Sequence, residues 1–145
     1  MNENLKKTFW IGAAALVVAL VVPLSALSAT RSTATSFAFG RIGGNIEPFT
    51  VTIAADGSVS ANGPAQSRKD KVAAADLARV TRAVVAQRFF SLPRSTSCPQ
   101  ALPDFASRFV TVHMHGASRR VLVHGDCSRR FSAVYAALAR AVGIG

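Results

Sequence analysis

Residues 106–142 read ASRFVTVHMHGASRRVLVHGDCSRRFSAVYAALARAV, and this run decides the fold. From Phe109 to His115 apolar and polar residues alternate. Val110, Val112 and Met114 fall on one face, and Phe109, Thr111, His113 and His115 on the other, the period-two pattern of a strand with one buried side. Val121 and Val123 repeat the pattern between Arg120 and His124. A two-residue turn at Ala117-Ser118 would set Met114 beside Val121 and Val112 beside Val123. The two apolar sets would then coincide, leaving His113, His115, Arg120, Leu122 and His124 on the opposite face. Beyond Cys127 the period changes to that of a helix. Phe131, Val134, Tyr135, Leu138 and Val142 form one stripe from about Ser128 to Val142, Asp126 or Ser128 is placed to cap its start, and Gly143 is a natural stop.

Working backwards, FTVTIAADGSVSANG at 49–63 is a hairpin. Phe49, Val51 and Ile53 alternate with Thr50 and Thr52, and Asp56-Gly57 supplies the turn, since glycine adopts the positive φ that tight turns require. Phe37, Phe39 and Arg41 alternate more weakly ahead of Gly43-Gly44. Residues 70–88 read as a helix with Asp70 at its N-cap and Leu77, Val80 and Val84 as its buried stripe. Phe89-Phe90-Ser91-Leu92-Pro93 closes that helix. Pro93, Pro99 and Pro103 then mark an extended loop that holds Cys98.

The N-terminal segment reads as an address. Lys6 and Lys7 precede fourteen apolar residues at 9–22, Pro23 interrupts them, and small residues follow to Ala29. This is the pattern of a signal peptide over 1–29, with an uncleaved anchor as the alternative, and it places the remaining chain outside the cytoplasm. Thr30 to Ser36 is a polar spacer, and residues 37–143 make a single domain. The expected architecture is α+β: an antiparallel sheet of four or five strands with two helices packed on one face, in the order β(β)β-α-β-β-α.

Charge narrows the partners. The 145 residues carry 17 Lys and Arg against 7 Asp and Glu, a formal +10, and 13 of the cations are arginine. A basic surface favours anionic partners such as an envelope polymer, lipid headgroups or nucleic acid, and a protein partner is also open. Arg79, Arg82, Arg119 and Arg120 are the candidate anion-binding residues. Nucleic acid is disfavoured because the aromatics occupy core-facing positions rather than a basic face. Membrane contact is expected only through the N-terminal segment.

Candidate chemistries are few. Two cysteines in an exported chain most simply form one disulfide, Cys98 to Cys127. The alternative is a nucleophilic Cys127 at a helix start near His124, but no group to orient a base is identifiable. His113, His115 and His124 on one sheet face could hold zinc or copper with one coordination position open. Leu122 shares that face, and Arg119 and Arg120 are repulsive neighbours. No nucleophile elbow or phosphate-binding loop is present, and no catalytic residue is assigned. A non-enzymatic binding module is therefore the leading reading, and a three-histidine metal protein the alternative.

One resemblance accompanies these landmarks. The strand ending in D-G (Ile53 to Gly57), the helix closed by F-F-x-L (Phe89 to Leu92), a cysteine, a strand pair, a second cysteine and a final helix resemble a group of small exported bacterial domains of unknown function. The likeness spans residues 37–142. It implies the architecture and no activity, and it transfers no functional residue.

Overall fold

The computed structural model describes residues 33–65 and 67–144; the segment read as a signal peptide lies outside them. The elements follow the order β1 (Ser36–Ile42), β2 (Phe49–Ile53), β3 (Val59–Asn62), α1 (Ala74–Ala86), β4 (Ser95–Ser97), β5 (Ser107–Met114), β6 (Ala117–His124) and α2 (Arg129–Val142). One sheet takes all six strands in the spatial order β3-β2-β1-β5-β6-β4. The fold class is α+β. The sheet has six strands rather than four or five, and it is mixed, because β4 pairs parallel to β6 while every other pair is antiparallel. The extra strand comes from the proline-rich loop: Ser95, Thr96 and Ser97 lie against Leu122, Val123 and His124. Three residues with no apolar alternation give no sequence signal for a strand.

The weakest of the strands expected from the sequence is central in space. β1 pairs with β2 on one side and β5 on the other, and Ser36, assigned to the spacer, already pairs with His113. Phe37 and Phe39 enter the core with Val51, Ile53, Val110, Val112, Met114, Val121 and Val123, all on the face covered by the helices. α1 carries the chain across that face from the β3 edge to the β4 edge, and α2 packs beside it, burying Phe131, Val134, Tyr135, Leu138, Ala141 and Val142. Burying large apolar side chains at about 1.5–3 kcal/mol each is the main force closing these layers.

Three details differ from expectation. α1 begins at Ala74, not near Asp70, because residues 70–72 are drawn out alongside the D-G turn. Val59 N–H donates to the Asp70 carbonyl, and Val72 N–H donates to the Gly57 carbonyl. Val72 is thereby buried. The β5–β6 turn falls at His115-Gly116, with φ of 51° and 75°, rather than at Ala117-Ser118. Positive φ at both central residues gives the twist that two-residue hairpins favour. Val110 consequently faces Val121, and Met114 faces Ala117. The shift is an even one, so the same side chains remain on the buried face. Finally, neither Asp126 nor Ser128 caps α2 through its side chain. Asp126 is engaged elsewhere.

Candidate functional site

At the edge of the sheet where β1 and β6 end and β5 begins, the chain encloses a cleft of about 700 Å³. Its base is Arg41, Arg108, Gly125 and the Cys98–Cys127 disulfide, and its walls are the β1–β2 turn at Ile46 and the loop from Pro99 to Ala106. The expected disulfide is present, with a Cα–Cα separation of 5.6 Å. It fastens the proline-rich loop to the start of α2, and Cys127 N–H also donates to the Cys98 sulfur at 3.0 Å. With both cysteines bonded there is no thiol to act as a nucleophile. Gly125 sits at φ 92°, and a Cβ there would come within 2.7 Å of Cys98 Cβ, so only glycine lets β6 pass this close to the staple. The two walls are stitched by Asn45 N–H donating to the Asp104 carbonyl at 3.1 Å.

The cleft combines exposed apolar surface with a concentrated charge. Phe105 is 56% exposed and Ile46 39% exposed on its rim. Arg41 and Arg108 are direct register partners on adjacent strands. Period two puts each on the face of the core phenylalanines and valines, so both guanidinium groups emerge where the core meets solvent. Like charges opposite one another across a ladder are destabilising. Part of this cost is offset by the surroundings. Arg108 Nη2 donates to the Asp126 carboxylate at 2.6 Å and to the Gly125 carbonyl at 3.0 Å, and its guanidinium lies 5.6 Å from the Tyr135 ring and 5.9 Å from the Phe131 ring. Arg108 and then Ser132 hold the Asp126 carboxyl below the usual carboxylate range. Burial pushes the Tyr135 hydroxyl above the usual tyrosine value, against the pull of the nearby Arg41 and Arg108 guanidinium groups, so it stays neutral at physiological pH. Arg41 is exposed and makes no ion pair among the described residues.

The residues singled out from the sequence lie elsewhere. Arg119 and Arg120, adjacent in the chain, point to opposite faces of β6. Arg119 turns to the helix face and donates to the Leu92 carbonyl, with its Nε buried and unpartnered. Arg120 lies over Phe109, its guanidinium carbon 4.1 Å from the ring centroid. That contact explains how Phe109 is buried on the face away from the helices: it packs across Gly40 and under Arg120. Arg79 pairs with Asp76 at 2.7 Å beside the groove between the helices, and Arg82 is exposed on α1. The four candidate anion-binding arginines therefore do not form one surface.

The three histidines are also separated. His113 pairs with Ser118 near the turn, whereas His124 pairs with Ser107 at the far end of the hairpin. Six residues of strand at about 3.4 Å each put roughly 20 Å between them. His115 sits in the turn itself, and His124 Nδ1 lies 3.2 Å from the Ser107 hydroxyl. Among the described residues no group of three or more His, Cys, Asp or Glu is placed to hold a metal ion.

The sequence reading missed Arg41 and Arg108. The signal was present: in both strands an apolar period-two stripe runs onto an arginine, and a charge on a buried stripe at a strand end is placed at the edge of the core.

Among the described residues no helix is long and apolar enough to cross a membrane. Comparison with protein-family models, with curated proteins and with solved structures found no match.

Proposed function

We propose that the protein is an exported, non-enzymatic binding domain, and that it takes an anionic component of the cell envelope or the anionic group of a protein partner in the disulfide-floored cleft. The observation that carries the reading is Arg41: an exposed guanidinium, without a carboxylate partner among the described residues, at the base of a concave site with apolar rims. Clefts of this size, mostly apolar with a few convergent polar groups, are the common form of ligand sites. The disulfide is consistent with an oxidising compartment and so with export, and the N-terminal sequence supports the same destination.

Co-sedimentation with a washed envelope fraction tests this. Wild-type protein is expected to be retained at 50 mM salt and released at 500 mM, because exposed ion pairs are screened. Arg41→Gln should lose most of that retention, while Arg82→Gln, a loss of the same charge on α1, should keep it. Equal retention of the two variants would contradict a site at the cleft.

A further inference from the structure

Building on the cleft as the binding site, we infer that Arg41 and Arg108 form a single-oxyanion subsite that takes the C-terminal carboxylate of an extended apolar segment of a protein partner. The first argument is charge placement. Two guanidinium groups stand across one ladder pair, about 5 Å apart at their Cβ atoms, and both converge on Tyr135. One carboxylate, Asp126, serves Arg108, and its side chain is 79% exposed. The cleft base therefore carries one uncompensated positive charge, with planar donors suited to a carboxylate and the Tyr135 hydroxyl adjacent.

A second argument limits the ligand to one anionic group. Asp104, an exposed residue, lines the loop wall, so a second negative charge toward the loop is repelled. That arrangement disfavours polyanions such as nucleic acid or a phosphate-rich polymer. It suits a body with an anionic end and a neutral remainder.

The walls then favour a peptide over an alkyl chain. They are irregular backbone, and the N–H groups of the lining residues Ile46, Gln100 and Asp104 take part neither in the strand ladders nor in the backbone hydrogen bonds of these loops. Unpaired backbone donors on exposed residues can pair with a peptide, while Phe105 and Ile46 supply contacts for apolar side chains. An alkyl chain would leave those donors without partners once water is displaced.

Asp126 acts as an internal competitor. It holds part of the Arg108 fork in the free protein, and a ligand carboxylate seated between the two arginines shares that fork. Removing its charge should tighten binding, whereas removing Arg41 should abolish the preference for an acid.

The test uses the folded, oxidised domain with ¹⁵N labelling. The probes are N-acetylated pentapeptides ending in leucine, valine or phenylalanine, each as free acid and as carboxamide, with dodecanoate and inorganic phosphate alongside. The free acids are expected to shift the amides of Ala106, Gly125 and Asp126 and to bind at least tenfold tighter than the carboxamides. Arg41→Gln should erase that ratio and Asp126→Asn should increase acid affinity severalfold, both with otherwise unchanged spectra. Acids and amides binding equally at these amides would overturn the oxyanion subsite while leaving the cleft as the binding site. Dodecanoate binding there with the peptides silent would overturn the peptide assignment. No shift at any cleft amide with any probe would overturn this inference together with the reading beneath it.

Discussion

Replacing both cysteines with alanine measures what the staple contributes. The bond joins residues 29 apart in sequence, so it closes a loop of about 30 residues in the unfolded chain. The chain-entropy relation gives about 12 cal/mol/K for that loop, or about 3.6 kcal/mol at 25 °C. A domain of this size has a net stability of roughly 5–15 kcal/mol, so the bond supplies a large share. With a urea slope of about 1.5 kcal/mol per molar, the midpoint of the Cys98→Ala, Cys127→Ala variant should fall by about 2.4 M. The bond lies at the cleft end of the core, where Cys98 is buried, so amide shifts in β1 and β2 and at the far end of β5 should persist in the folded variant. Those of residues 98–106 and 125–128 should move, because they surround the cleft. The assay is urea denaturation followed by tryptophan-independent far-ultraviolet circular dichroism, paired with an ¹⁵N spectrum in water. A midpoint shift below about 0.7 M, near 1 kcal/mol, would refute the reasoning, as would collapse of the β1 and β2 resonances.

Three further outcomes follow from single sites. Gly40→Ala places a Cβ 1.9 Å from the Phe49 carbonyl oxygen and should cost about 3 kcal/mol or more through strand displacement, read as a lowered thermal midpoint. His115 holds φ 51° in the β5–β6 turn; His115→Asn should keep or slightly raise the midpoint, while His115→Val should lose about 1–2 kcal/mol, since a branched residue resists the left-handed region. Asp126 has its carboxyl pKa depressed in the folded state, so its contribution is complete above the ordinary value of 3.8 and is lost as pH falls through the lower folded value. Asp126→Asn should therefore flatten stability against pH below about 4, measured by denaturation at successive pH values, and leave the neutral limb parallel to wild type.

How much could be read in advance depended on whether local pattern and tertiary demand agreed. In α2 they agree: a strong amphipathic stripe ends at a glycine, and the buried residues include every member of that stripe. The D-G hairpin and the cysteine pair were legible for similar reasons, each resting on a short-range or unique chemical signal. The start of α1 was not, because Asp70 and Val72 gain backbone partners in the turn ahead of them, and no helix propensity reports a distant carbonyl. The β5–β6 turn was misplaced because His115 continues the strand's polar alternation, although the following Gly116 marked the position. β4 has no apolar pattern and exists because β6 offers it an edge. Charge along the chain said little about which arginines share a surface. Counting arginines along the chain grouped Arg119 with Arg120, which the pleat sends to opposite faces. It passed over Arg41 and Arg108, which are 67 residues apart in number and become neighbours only when β1 pairs with β5.

The most direct test of the cleft as the binding site is arginine footprinting of the oxidised domain with phenylglyoxal, with and without the washed envelope fraction, read residue by residue by mass spectrometry. The account expects Arg41 to react freely alone and to be protected by the envelope fraction, while the exposed Arg82 and Arg94 stay reactive. Uniform protection of all exposed arginines would mean a diffuse basic surface, and an Arg41 that stays as reactive as before would contradict the site.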